Sequence, residues 1–482
     1  MEAEEDTINS KYIIKSKKGS GGTASVFLVK PINENITYAA KVLKSNKAII
    51  KEMNDNEVKY LTILKDQHCP YIIEIIDSGE GPILRKEKND GEPAIRKYII
   101  LENCEKRELA DYIIYTHEGL GEKFSKLMFY KIMKGILVIH DKEICHKDIK
   151  LENILLDDKF NPKIVDFGLA TKNSSELKDF ENGTLPYLPP ELLEQKPYNG
   201  KKLDIFSLGA TIIYLITGNS GFECAVKECE MYKKIIDNDK EKYWEIVKGN
   251  FGQELSKDFK NLYFKMISYD PDKRLDAHEI MKHAWLKEIT EMNEEEIKEL
   301  ENDVKQEFIY RENKIQDYIT DEIEENDDEE FYGNDRGIGD EEEEYFNLNH
   351  IIKEKPANFN MAFCIKIKGN ISPNSFMNNL CKKINEKFDD CKLKPDKKKL
   401  KFSASFGDED EEEKKYLKKE IVKMKVKLYR EQDELLLLKF IKVNGSKKNF
   451  FDKFHAISEL IKNKNDKSKN NYRKNSIKAT FY

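Results

Sequence analysis

Residues 145–156 read Cys145-His146-Lys147-Asp148-Ile149-Lys150-Leu151-Glu152-Asn153-Ile154-Leu155-Leu156, and Asp166-Phe167-Gly168 follows downstream. The spacing HxDxKxxN with DFG behind it is a highly specific combination, and it decides how the flanking sequence is read. Upstream, residues 12–29 (YIIKSKKGSGGTASVFLV) predict a strand, a glycine-dense turn and a second strand. The turn runs through Gly19, Ser20, Gly21, Gly22, Thr23, Ala24, Ser25 and Val26, with Ala24 where a third glycine would complete the pattern. Glycines in such a turn let backbone N–H groups close over phosphate oxygens where side chains would collide. On its own the segment reads as a plain hairpin turn. Tyr38-Ala39-Ala40-Lys41-Val42 then sets one lysine in an apolar strand. An unpaired ammonium there is expensive, so Lys41 calls for an anionic partner unless it faces solvent. Residues 56–64 (NEVKYLTIL) have helical periodicity with Glu57 and Leu61 on one face, a spacing that would aim Glu57 at Lys41 with Leu61 beneath; a solvated helix glutamate is the other reading.

Together these segments resemble the eukaryotic protein kinases over residues 12–287. The resemblance implies an α+β, bilobal fold with a small antiparallel-sheet lobe and a large helical lobe. It implies an ATP-dependent phosphotransferase in which positioning and charge neutralisation do most of the work. On that likeness Asp148 is the catalytic base, Lys150 sits against the transferring phosphate, and Lys41 pairs with Glu57. Asn153 and Asp166 supply hard oxygen ligands for Mg²⁺ bound with ATP. The Asp-x-Lys-x-x-Asn form is similar to serine/threonine kinases. By the same likeness His146 and Phe167 are core residues with Leu61 behind them, and Leu101 is the gatekeeper. The Glu102 carbonyl and Cys104 amide would hold adenine between Ala39 and Leu155. Glu108 and Glu152 stand where members of the calmodulin-dependent group contact ribose and substrate arginines, which implies protein substrates with basic residues N-terminal to the acceptor. Two solvated glutamates are the alternative.

The likeness continues downstream. Residues 183–191 (GTLPYLPPE) resemble the end of an activation segment, with Pro189 in place of alanine. Residues 204–209 (DIFSLG) resemble the central helix of the large lobe, and Arg274 is the expected partner of Glu191. Lys147 stands in place of an arginine that in many kinases meets a phosphorylated activation segment; it keeps the charge and loses the bidentate fork. Ser174, Ser175 and Thr184 are candidate phosphosites, with ordinary polar loop residues as the other reading. The rival from a different class is a pseudokinase scaffold, which loss of Lys41, Asp148, Asn153 or Asp166 would favour; all four are present.

Composition sets the wider frame. The 482 residues exceed one ordinary core. No run is long and apolar enough to span a membrane, and the acidic start MEAEEDTINS is neither a signal nor a transit peptide. The 8 cysteines form no CxxC pair, which predicts reduced thiols in a cytoplasmic or nuclear setting, with peripheral membrane association left open. Charge is divided sharply. Residues 288–345 carry 25 acidic against 5 basic residues, the composition of an acidic and disordered linker containing at most a helix over 294–317. Residues 346–482 reverse this, with 33 basic against 18 acidic.

In that basic part, alternation predicts strands over 361–368 and 399–406 and a hairpin of 420–428 with 434–444. Helical spacing marks 375–388 and 450–461. This small α+β pattern resembles the kinase-associated-1 domain of AMP-activated-kinase relatives and the checkpoint-1 kinase, with an unrelated small α+β module as the alternative. The expected layout is thus a tail (1–11), a kinase domain (12–287), a linker (288–345), a kinase-associated-1-like domain (346–463) and a basic tail (464–482). The likeness implies regulation through anionic phospholipid or the chain's own kinase lobe; a solvated lysine-rich face is the alternative. Specific nucleic-acid binding is not expected, since neither a recognition helix nor an aromatic platform is evident.

Overall fold

Alternating apolar residues in the first hundred positions close into a small barrel. Its strands are β1 (Thr7–Ile8), β2 (Tyr12–Ser20), β3 (Ala24–Pro31), β4 (Tyr38–Leu43), β5 (Ile75–Leu84) and β6 (Ala94–Glu102). They pair antiparallel in the order β1-β2-β3-β4-β6-β5, and β1 closes the ring against β5. Tyr12, Phe27, Val29, Ala40, Val42, Tyr98 and Ile100 fill the interior. The expected N-terminal tail therefore contributes a strand, too short for periodicity to reveal. Beside the barrel lies α1 (Ala48–Lys65), which buries Asn54, Glu57, Tyr60, Leu61 and Leu64 along one face.

The structure is a computed structural model. It describes residues 6–21, 23–84, 94–116, 118–174, 176–178, 185–227, 229–327, 364–368, 373–388, 391–396, 401–406, 422–432, 435–444, 457 and 479–481. The chain divides into a larger unit, Met1–Gly183 with Tyr187–Phe331, and a smaller one built on Tyr332–Tyr482.

The rest of the larger unit is helical. It contains α2 (Leu109–Ile114), α3 (Gly121–Asp141), α4 (Pro190–Leu193), α5 (Gly200–Thr217), α6 (Glu230–Ile236), α7 (Lys240–Phe251), α8 (Lys257–Met266), α9 (Ala277–Met281), α10 (Ala284–Glu291) and α11 (Glu294–Asp327). Short strands β7 (Ile144–Cys145), β8 (Ile154–Leu156), β9 (Pro162–Ile164) and β10 (Thr171–Lys172) carry the loops of interest. Apolar almost all round, α5 is buried from Leu203 to Thr217, as expected of a central helix. Asn199 caps its start, and Gly218 ends it at φ 71°, a conformation that favours glycine. Glu191 and Arg274 meet inside this lobe in a two-pronged pair, both contacts at 2.7 Å.

The helix expected over 294–317 is present and longer, as α11 from Glu294 to Asp327, and α10 continues to Glu291, so the disordered connector expected around it is overturned over residues 288–327. Leu300, Val304, Phe308 and Ile315 of α11 are buried. The rest of the expected linker, 328–345, lies outside the described residues.

In the smaller unit, β11 (Cys364–Lys368) precedes α12 (Pro373–Lys387), then β12 (Cys391–Asp396), β13 (Lys401–Phe406), β14 (Val422–Gln432), β15 (Leu435–Asn444) and β16 (Ala479–Phe481). They form one antiparallel sheet ordered β12-β13-β14-β15-β11-β16. Helix α12 buries Met377, Leu380, Cys381 and Ile384, a single helical stripe. The sequence does not predict β12, where Pro395 reads as a breaker; the strand is at the sheet edge, the place where proline is tolerated. Nor is 464–482 wholly a tail, since Ala479–Phe481 pairs with β11. Of the expected helix over 450–461, Ile457 alone is described; it is helical and buried.

Candidate active site

The glycine-rich turn joins β2 to β3, with Gly19 opposite Val26 and Ser20 opposite Ser25. The Gly21 N–H donates to the Ala24 carbonyl at 2.9 Å, and Lys44 N–H donates to the Thr23 carbonyl at 2.9 Å. A Cβ at Gly19 would meet nothing within 4 Å, so no protein atom crowds that backbone. Gly22 lies outside the described residues.

On the adjacent strand, Lys41 stands opposite Val26 on one side and Ile99 on the other. Its Nζ donates to Glu57 Oε2 at 2.6 Å and to Asp166 Oδ1 at 3.0 Å. The lysine thus ties the barrel, α1 and the DFG segment together. Burial works to lower the Lys41 pKa, but Glu57 and Asp166 outweigh it and hold the ammonium above its ordinary range. Burial likewise works to raise Asp166, and Lys41 reverses this, leaving the carboxyl below its ordinary range. Asp166 has φ 64°, and its turn seats Phe167 edge-on against His146 with ring centres 4.7 Å apart. Leu61, His146 and Phe167 are all fully buried.

The catalytic-loop residues form one hydrogen-bonded group. Lys150 Nζ lies 2.8 Å from Asp148 Oδ2. Asn153 Nδ2 donates to the Asp148 carbonyl at 2.8 Å and to Asp148 Oδ2 at 2.9 Å. Burial works to lower the Lys150 pKa, and Asp148 and Glu152 raise it above the ordinary value. Beneath the loop sits Asp204 of α5, fully buried. It accepts from the N–H groups of His146 (2.8 Å) and Lys147 (2.7 Å) and lies 3.0 Å from His140 Nε2. These bonds fix a turn in which Lys147 adopts φ 66° and is itself buried. Asp204 is the loop's orienting group; the spacing of residues 204–209 locates the helix but not this contact.

At the interlobe connection, Ala39 lies between Leu28 and Leu101 in the sheet. Leu155 of β8 bridges to Glu108. The Glu102 side chain is held by Lys163 at 2.8 Å, and Cys104 is buried. Lys18, which sequence reasoning does not reach, crosses from β2 to donate to the Cys104 carbonyl at 2.7 Å and to Asn103 Oδ1 at 2.5 Å.

Glu108 lies near Asp111, Glu152 and Lys150, and Glu152 in turn meets Tyr187. Burial, then Asp111 and Glu152, push the Glu108 carboxyl up to about 8 against the pull of Lys150. Burial also raises Glu152, whose Oε2 accepts from the Tyr187 hydroxyl at 3.4 Å. Ser174 is exposed, and its Oγ accepts from the Glu176 N–H at 3.2 Å. Ser175 and Thr184 lie outside the described residues.

The donor set suits Mg²⁺ chelated by phosphates. Asp166 and Asn153 offer hard oxygens, and among the described residues no group of three or more His, Cys, Asp or Glu could hold a metal alone. A magnesium ion bound through one or two side chains takes its remaining ligands from phosphate and water.

Comparison with known proteins agrees with this geometry. The family profile for the protein kinase domain matches residues 12–286. CBL-interacting serine/threonine-protein kinase 13 of Arabidopsis thaliana is 31% identical over 284 residues, covering 58% of this chain and 51% of the relative. The probable serine/threonine-protein kinase MARK-A of Dictyostelium discoideum is 30% identical over 58% of this chain and 24% of its own length. Serine/threonine-protein kinase cds1 of Schizosaccharomyces pombe is 28% identical, with 58% of each chain covered. The matched region thus spans a quarter to somewhat over half of these relatives. On this loop geometry and this match, the chain belongs to the protein kinase family.

Proposed function

We propose that this protein transfers the terminal phosphoryl group of ATP to serine and threonine hydroxyls of protein substrates. The observation that carries the reading is Lys41 engaging Glu57 and Asp166 at once, at 2.6 and 3.0 Å, with the Asp148–Lys150–Asn153 group assembled in the same lobe-to-lobe cleft. MgATP supplies the electrophilic phosphorus and the charge that neutralises the leaving oxygens. Glycine-turn N–H groups and Lys41 hold the phosphates. Asn153 and Asp166 hold the metal, and Ala39 and Leu155 bound the purine. Asp148 orients the acceptor hydroxyl and takes its proton, while Lys150, kept protonated by Asp148 and Glu152, faces the charge that develops on the transferring group. The acidic cluster of Glu108, Asp111 and Glu152 favours acceptors preceded by arginine or lysine; a peptide array with no such enrichment would refute that preference.

The deciding experiment compares phosphate incorporation into protein substrates by the unmodified chain and by Asp148→Ala. Loss of a positioned base costs about 10²–10⁴-fold in rate. Equal incorporation, or none from either, leaves the pseudokinase scaffold as the reading.

For the basic C-terminal part we infer regulation, through the chain's own kinase lobe or an anionic phospholipid surface. The excess of lysine in this part supports an anionic partner, and the backbone register pairs Lys401 with Lys427 and Lys427 with Lys439. Deleting residues 346–482 is expected to raise activity or to release the protein from anionic vesicles. If neither changes, this part acts elsewhere.

A further inference from the structure

Helix α11 does more than pack. Arg311 is 3% exposed and spends its guanidinium on the chain between α2 and α3. Nη1 donates to the Tyr112 carbonyl (3.0 Å), Thr116 Oγ1 (2.7 Å) and the Glu118 carbonyl (2.6 Å), and Nη2 donates to the Gly119 carbonyl (2.8 Å). Carbonyls at the C-terminal end of a helix lack partners within it, so a cation from another helix caps α2 from outside. Glu307 holds the Arg311 Nε at 2.7 Å. The next residue, Glu312, accepts from the Tyr112 hydroxyl at 2.8 Å and from Lys106 Nζ at 3.1 Å. Phe308 stacks on Phe160 with ring centres 5.5 Å apart and meets Tyr112 edge-on at 4.9 Å.

The contacts of Glu312 and Phe308 land on Lys106, Tyr112 and Phe160, beside the strands β8 and β9 and the segment that leads to Glu108. Lys106 N–H donates to the Leu156 carbonyl at 3.2 Å, and Leu156 N–H donates to the Arg107 carbonyl at 3.2 Å. Glu108 bridges to Leu155, the purine floor. Phe160 closes the turn between β8 and β9, the strands that separate Asn153 from Asp166. The path from Arg311 and Glu312 to the purine and ribose side of the cleft is therefore continuous, through backbone hydrogen bonds and packed rings.

We propose that Arg311 and Glu312 are positioning residues for nucleotide binding, and that the functional kinase unit extends through the middle of α11, beyond the family pattern that ends at residue 286. The proposal rests on the nucleotide site described above. It requires that loosening this end of α11 disturb the segment 106–111, so that affinity for MgATP falls by more than folding loss alone explains.

The test uses the full chain and direct titration with MgATP and with a fluorescent ATP analogue, so that turnover is not needed. Arg311→Ala and Glu312→Ala are compared with Leu300→Ala, a buried position of the same helix about 16 Å nearer its start at 1.5 Å per residue. All three are followed by thermal unfolding. Arg311→Ala and Glu312→Ala are expected to weaken MgATP binding at least fivefold, and Leu300→Ala to lower the melting temperature with binding within twofold of the unmodified chain. Arg311→Lys, which keeps the charge but cannot reach all the acceptors, is expected to fall between. If the Arg311 and Glu312 variants bind MgATP as the unmodified chain does, or if Leu300→Ala weakens binding equally, α11 is a structural helix only and the proposal fails. An unmodified chain that binds no MgATP overturns the nucleotide site itself, an outcome separate from either of these.

Discussion

Replacing Glu191 by Gln removes one charge from a buried pair. The Arg274 side chain is 0% exposed and that of Glu191 7%. Besides its two contacts with Glu191, Arg274 donates to the Ser268 carbonyl at 2.8 Å and lies over the Phe206 ring at 4.9 Å. The guanidinium cannot turn toward solvent, and the new amide presents N–H donors where it needs acceptors. Breaking a buried pair by losing one partner costs about 3–5 kcal/mol. For a unit of this size about 2–4 °C of melting temperature accompanies each kcal/mol, so the kinase transition is expected to fall by roughly 6–20 °C. Thermal unfolding of the full chain, with MgATP to mark which transition belongs to the kinase unit, measures it. A double change, Glu191→Leu with Arg274→Met, removes both charges and is expected to be less damaging than Glu191→Gln alone. A single variant within about 2 °C of the unmodified chain would refute the buried-charge reasoning, as would a double variant that is the worse of the two.

Other outcomes follow from the cleft. Glu57→Gln leaves Lys41 with Asp166 as its remaining carboxylate, and a misplacement of about 1 Å costs about 10²-fold; kcat/KM for a protein substrate should fall by that order while the melting temperature moves little. Unchanged kinetics would mean that α1 does not set Lys41. The raised Glu108 carboxyl predicts a pH effect. The folded chain holds this proton above the ordinary carboxylate range, up to about 8, while an arginine on the substrate binds the ionised form. KM for an arginine-containing peptide should therefore fall as pH rises from 6 and level off above about 8. Glu108→Gln should abolish the trend, and a peptide without basic residues should not show it; a flat profile in the unmodified chain would place the peptide elsewhere.

Much of the cleft is legible in sequence because its residues answer to chemistry that tolerates few substitutes. A lysine in an apolar strand needs anions, and Lys41 has Glu57 at 2.6 Å. Glu57 could be aimed at it because helical spacing fixes which residues share a face. Buried charges announce each other in the same way, as Glu191 and Arg274 do. The role of Asp204 is silent in sequence, since it binds main-chain N–H groups of His146 and Lys147 that any residues there would offer. Strand β12 shows a different limit: Pro395 and three charged residues look like a loop until an edge position makes them acceptable.

Helix α11 combines both limits. Counted by charge, residues 288–345 look like a solvated tether, and the count averages over every face of a helix. Taken by position, Leu300, Val304, Phe308, Arg311 and Ile315 recur at intervals of three and four, which is the stripe of a helix with one side against a core. The acidic residues outside that stripe are compatible with packing because Glu294, Glu295, Glu296 and Glu299 are exposed and others meet lysines, as Glu301 meets Lys131 at 2.7 Å. What the stripe cannot reveal is its destination. Three of the four groups that Arg311 grips on the α2–α3 segment are backbone carbonyls, those of Tyr112, Glu118 and Gly119. A carbonyl carries no residue signature, so the partner side of this contact is silent in sequence however strong the contact is. The edge of a recognisable family pattern is for that reason a poor guide to the edge of the folded unit. Here the pattern stops at residue 286, and the arginine that grips the α2–α3 segment lies some twenty-five residues further on.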